Sequence, residues 1–88
     1  MNKIRRKELA KIVAKLEELE ALHQEIMEEL EAVRDEEQEA LDNLPENLQE
    51  SERGEQMQEY IDAMESAMDD LEQLDIEEIR DLLNDICD

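Results

Sequence analysis

Asp42-Asn43-Leu44-Pro45-Glu46-Asn47-Leu48-Gln49-Glu50-Ser51-Glu52-Arg53-Gly54 holds the only proline and the only glycine in a chain of 88 residues. Proline lacks a backbone N–H and pushes the residue before it out of the α region, while glycine accepts backbone conformations that other residues resist. The sequence on either side reads as helix, so this stretch predicts a turn joining two helical arms. Asn43 followed three residues later by Glu46 matches a capping box with Pro45 in the first helical turn. A short helical turn is expected over residues 46–50, with Leu44 and Leu48 tucked inward. Ser51 is placed to cap the next helix, with Glu52 and Glu55 near its positive end. Arg53, a lone cation among acids, is expected to bond carboxylates around the turn.

Working back from the turn, the first arm covers residues of about 3–43. Leu9, Ile12, Leu16, Leu19, His23, Ile26, Leu30, Val33, Glu37, Ala40 and Leu44 alternate in steps of three and four, the seam of a helix packed on helices. Val13, Leu22, Met27 and Leu41 widen that seam, which suits a bundle better than a two-stranded coil. At 1.5 Å per residue such an arm is about 60 Å long, too long to fold unaided. Two seam positions are polar. His23 reads as a partly buried histidine bonded to a neighbour, and Glu37 lies near the turn, where a bundle splays.

Working forward, the turn covers 44–53 and a second helix about 54–74. Met57, Tyr60, Ile61, Met64, Ala67, Met68, Leu71 and Leu74 repeat the alternating spacing. Methionine at that spacing reads as core filling, with an adaptable binding groove as the alternative. Asp75-Ile76-Glu77-Glu78 is a further capping box, with Leu74 and Ile79 at the positions of a hydrophobic staple. A break or kink is expected there. A short helix of about 76–87 then follows, with Ile76, Ile79, Leu82, Leu83 and Ile86 on its inner face.

Composition agrees with an all-α reading. More than half of the residues are Ala, Glu, Lys, Leu or Arg, and the only aromatic is Tyr60. Charged residues make up 43% of the chain, and the apolar periodicity that accompanies them marks a solvated outer face, not disorder. The expected architecture is one domain over 1–88, an antiparallel helical hairpin with a kinked or broken second arm, dimerising into a four-helix bundle. Folding back at residues 48–50 pairs residues whose numbers sum to about 98. Self-association then covers the side each hairpin leaves open, with Leu9, Ile12, Leu16, Leu19, His23, Ile26, Leu30, Val33, Met57, Met64 and Leu71 as its seam.

The net charge is −20 and unevenly placed. Lys3, Arg5, Arg6, Lys7, Lys11 and Lys15 stand against Glu8 in the first fifteen residues, whereas the remainder has only Arg34, Arg53 and Arg80 as cations. In the hairpin register the basic start lies beside Glu77, Glu78, Asp81, Asp85 and Asp88, so internal pairing is one reading of the basic segment and partner binding the other. Such an acidic surface repels nucleic acid and anionic membrane and steers toward basic partners. Cys87 is the single cysteine, which excludes an internal disulfide and points to a reducing compartment. No apolar run has the length of a signal sequence or a membrane span, so a cytoplasmic protein is expected.

Chemistry has little to work with. Ser51 and Ser66 have no histidine at matched helical positions, Cys87 sits at the chain end, and there is no glycine-rich phosphate loop. No enzyme, cofactor or metal site is therefore expected. Glu20 and His23 do form a Glu-x-x-His pair, the spacing found in di-iron helical bundles, and a metal-binding bundle is the weakest of the alternatives. The acidic surface is the best lead. Glu17, Glu18, Glu25, Glu28, Glu29, Asp35, Glu36 and Glu39 form outer rows on the first arm, and such rows on a rod can imitate a duplex backbone.

Residues Arg34 to Arg53, with the run Asp42-Asn43-Leu44-Pro45-Glu46-Asn47-Leu48-Gln49-Glu50-Ser51-Glu52-Arg53 at their centre, followed by Tyr60-Ile61-Asp62-Ala63-Met64-Glu65-Ser66-Ala67, resemble small acidic proteins encoded by bacteriophages and prophages, a group mostly of unknown function. The shared pattern is Asp-Asn-x-Pro-Glu-x-Leu-x-x-Ser-Glu-Arg after an acidic helix end, and it covers roughly residues 34 to 74. The resemblance implies a bacterial cell, phage-infected or carrying a prophage, and a small acidic inhibitor of a basic host protein such as one that handles nucleic acid in defence. The expectation is thus a non-enzymatic protein-binding module without direct nucleic-acid or membrane contact. The alternative is a structural coiled-coil or scaffold protein acting through self-association.

Overall fold

Strong helix formers, a single proline and a single glycine leave the chain few options but helix, and the computed structural model, which describes residues 1–87, contains four helices and no strand among them. They are α1 (Lys3–Asp42), α2 (Glu46–Gln49), α3 (Glu52–Glu72) and α4 (Ile76–Cys87). By its contacts the chain divides into two units: one is Met1–Glu25 with the chain from Leu74 onward, the other Ile26–Gln73.

In the first unit Asn2 starts α1, its Oδ1 accepting the Arg5 backbone N–H at 2.9 Å. That satisfies one of the donors a helix N-terminus leaves open. Asp75 does the same for α4, where its Oδ1 accepts the Glu78 N–H at 2.9 Å. The break between α3 and α4 therefore falls where the Asp75 capping box predicts it. Val13 and Ile76 are buried, and Leu9, Leu16 and Leu83 are half-buried around them. Arg80 Nη1 donates to Glu20 Oε2 at 2.5 Å, and the Cys87 thiol faces the Arg6 carbonyl oxygen at 3.8 Å. These two contacts run in opposite senses along α1 and α4.

In the second unit the core is Leu41, Met57 and Ile61, with Leu44 and Met64 packed against it. Ile61 has no exposed surface at all. Arg34 of α1 donates to Glu65 of α3 at 3.5 Å. The turn is tied down by Gln49, whose Nε2 donates to the carbonyl oxygens of Leu44 at 2.9 Å and Asp42 at 3.4 Å. These carbonyls, just beyond the last intrahelical bonds of α1, thereby find donors.

Several expectations for this stretch turn out differently, and Leu48, expected to tuck inward, is exposed. Pro45, not Asn43, sits at the N-cap of α2, and no side chain caps that helix. Ser51 is the N-cap of α3, but its hydroxyl donates back to the Leu48 carbonyl and leaves the α3 amides alone. Gly54 has no positive φ. Its role is proximity: a Cβ at this position would overlap the Gln49 carbonyl oxygen and lie 2.7 Å from that of Leu48. Glycine is needed because the start of α3 passes against the α2 backbone, not because of a turn conformation.

Candidate functional site

The inward row of each helix shows what is left for partners. In the first unit Leu9, Val13, Leu16, Glu20 and His23 are buried or half-buried, and in the second Met27, Leu30, Arg34, Glu37, Leu41 and Leu44 are. Of the seam expected from the sequence, Leu9, Leu16, His23 and Leu30 lie on these inward rows. Ile12, Leu19, Ile26 and Val33 are instead about half exposed. The reason is geometric. A helix meeting one neighbour buries a narrower stripe than a bundle does, and the residues after the exposed ones take the inward places. On α3, Met57 is buried and Met64 and Leu71 half-buried, while Tyr60 faces out.

On α4 the inward row is Ile76, Arg80, Leu83 and Cys87. Ile79, Leu82 and Ile86, expected on the inner face, are exposed, Leu82 to 63%. The apolar face of this helix is wider than its single neighbour covers. Arg80 was not expected inside, yet it is the ionic centre of its unit, within ion-pair distance of Glu20, Asp81 and Glu77. Its only sequence signal was being the sole cation after Arg53. Burial works to lower the Arg80 pKa, but the hydrogen bond to Asp81 and the charges of Glu20, Asp81 and Glu77 outweigh it and raise it above its ordinary value. Arg34 plays the same part in the second unit. Its hydrogen bond with Asp35, opposed by burial and helped by the charges of Asp35 and Glu65, raises its pKa.

All eight carboxylates expected to meet a partner are exposed on α1. Glu17, Glu18 and Glu25 belong to the first unit and Glu28, Glu29, Asp35, Glu36 and Glu39 to the second. Asp35 pairs with Arg34 at 2.8 Å. Glu17, Glu18, Glu25, Glu29, Glu36 and Glu39 take part in no ion pair among the described residues. The basic start of the chain is likewise exposed, and none of Lys3, Arg5, Arg6, Lys7, Lys11 and Lys15 reaches a carboxylate within 4 Å among the described residues. None of them is thus within that distance of Glu77, Glu78, Asp81 or Asp85, and Asp88, one of the expected partners, lies outside the described residues. Arg53, too, has no carboxylate partner among them.

Glu20, one half of the Glu-x-x-His pair, is held by Arg80, and no group of three or more His, Cys, Asp or Glu side chains among the described residues converges as metal ligands would. A shallow groove of 260 Å³ runs along α4, lined by Asp75, Glu77, Glu78, Asp81, Leu82 and Asp85. No helix among the described residues is long and apolar enough to cross a membrane. The chain matches no family model, no curated protein and no solved structure.

Proposed function

We propose that this chain is a non-enzymatic protein-binding module that presents an acidic helical surface to a basic protein. The observation that carries this reading is the second unit. Arg34 and Arg53 are its only cations, Arg34 is taken up by Asp35 and Glu65, and Glu29, Glu36 and Glu39 stand exposed and unneutralised on α1. Carboxylates held at helical spacing keep their field and their geometry, which is what recognition of a phosphate-binding groove requires. The resemblance to small acidic phage and prophage proteins makes an inhibitor of a host protein, acting in the bacterial cytoplasm, the form we propose for this activity.

The fold we propose for the whole chain is the antiparallel hairpin. Glu20 with Arg80 and Arg34 with Glu65, each pair inside its own unit, both follow the register of a fold-back at residues 48–50. A second reading, a structural protein acting through self-association, is favoured by the apolar side chains exposed on α1 and α4.

Salt separates the two readings. In a pull-down from bacterial lysate, capture through the acidic surface falls steeply between low and high ionic strength, because exposed charges are screened beyond about 8–10 Å. The variant Glu28→Gln, Glu29→Gln, Glu36→Gln, Glu39→Gln loses the same proteins. Equal capture by both chains at both salts defeats the acidic-surface reading.

A further inference from the structure

In the unit formed by Met1–Glu25 and the chain from Leu74 onward, the cations of α1 are laid out along one side of the helix. Lys3, Lys7, Lys11 and Lys15 recur every four residues, about 6 Å apart at 1.5 Å per residue. Lys7 and Lys11 each stand two residues from Leu9, and Lys11 and Lys15 each stand two residues from Val13. Two residues are about 200° of rotation, so the row lies on the side of α1 opposite its inward residues and turned away from α4. The carboxylates of α4 are thus behind the helix. Its width of about 10–12 Å exceeds the distance of about 8 Å over which exposed charges act in physiological salt. All four lysines are exposed, and none lies within 4 Å of a carboxylate among the described residues. Glu8 borders the row and Glu18 ends it, which leaves the cations in excess. Ile4, 69% exposed, shares this side of the helix, three residues before Lys7 and seven before Lys11.

This layout works against the helix that carries it. The first turns of α3 and α4 hold glutamates, which favour the helix dipole, whereas the first turn of α1 has no acid and holds Lys3, Arg5 and Arg6. A local rule broken without compensation inside the chain marks a place that serves something else. We propose that the row takes an acidic segment of another protein, laid along Lys3, Lys7, Lys11 and Lys15 with Ile4 as its apolar contact. Carboxylates every fourth residue of a helix, or every second residue of an extended strand, repeat at about 6–7 Å and match the lysines. A short segment of this kind ends within the row. A duplex or a layer of anionic headgroups reaches past it to the carboxylates that give the chain its net charge of −20, and is repelled. A second copy brings the same net charge with it. The inference does not rest on the acidic-surface reading.

Fluorescence anisotropy of a labelled oligoglutamate peptide, titrated with the full chain, tests the proposal. The expected result is a dissociation constant below about 1 mM at low salt, rising steeply with ionic strength. Lys11→Gln raises it about threefold, and Lys7→Gln with Lys11→Gln about tenfold, as exposed charge contacts do. Arg53→Gln removes an exposed cation that has no ion pair among the described residues and belongs to the other unit. It leaves the dissociation constant unchanged to within about twofold. Glutamine and lysine have similar helix propensities, so the variants keep their helicity, which circular dichroism checks. A chain that does not bind the peptide overturns the proposal. So does one that Arg53→Gln weakens as much as Lys11→Gln, since net charge alone then accounts for binding. Tighter binding of a single-stranded oligonucleotide, or of vesicles of anionic phospholipid, through the same lysines also overturns it, as does self-association that Lys7→Gln with Lys11→Gln abolishes. The carboxylates neutralised in the pull-down all lie in the other unit, so the two readings fail separately.

Discussion

Arg80 Nη1 on α4 lies 2.5 Å from Glu20 Oε2 on α1, across 60 residues of sequence. It is the one ion pair linking these two helices among the described residues, and Glu77 and Asp81 complete the cluster around the guanidinium. Arg80→Gln is expected to lower the thermal midpoint by less than truncation of a core residue does, because the cluster is partly solvated. Glu20→Gln should lower it as well. The double variant should fall short of the sum, since the two side chains act through one contact. Additive midpoints in a double-mutant cycle would show that the contact contributes nothing.

Gly54 should not tolerate a methyl group. Its place at the start of α3, pressed on the carbonyls of Gln49 and Leu48, means that Gly54→Ala must displace backbone. Overpacking of this kind costs about 1–3 kcal/mol, set against the few tenths to one kcal/mol that alanine ordinarily adds to a helix interior. Urea denaturation should therefore show a net loss. A gain in stability would mean that α2 moves aside freely.

The difference between these two residues shows what the sequence could and could not disclose. Helix, turn and the break at Asp75 are local: each follows from propensity, from the missing N–H of Pro45, or from a carboxylate three residues ahead of an open amide. Gly54 was visible as an oddity, but its cause is the passage of another segment, which no local rule supplies. Ser51 shows the same limit, since its hydroxyl chose the Leu48 carbonyl over the α3 amides. On α4 the spacing marks Ile76, Ile79, Leu82, Leu83 and Ile86 as one apolar face. Which part of a face that wide turns inward depends on the single neighbour, and Arg80 took a place that hydropathy would assign to solvent. Carboxylates so numerous on every outer face give no sequence means of ranking one acidic row above another.

Among the described residues Ile61 is the only large apolar side chain with no exposure, and it forms one core cluster with Leu41 and Met57. Ile61→Ala is expected to cost about 2–5 kcal/mol, whereas Tyr60→Ala, on a residue 52% exposed, should cost much less in the single chain. Equal losses for the two, measured by denaturant midpoint at unchanged slope, would place Tyr60 in a contact that the core around Ile61 does not include.

Asp75 offers a test of how α4 is held. Its carboxylate accepts the Glu78 N–H, and a helix of 12 residues has little stability of its own. Asp75→Ala should cost about 1 kcal/mol, while Asp75→Asn, which keeps an acceptor at the same place, should cost less. Because the cap serves only α4, the loss should appear first as faster amide exchange in Glu77 to Cys87, with Leu41 and Ile61 keeping their protection. Two results would each contradict this account. Uniform acceleration of exchange through the chain would mean that α4 does not open as a separate step. Unchanged exchange in α4 would mean that packing of Ile76 and Leu83, not the Asp75 cap, starts the helix.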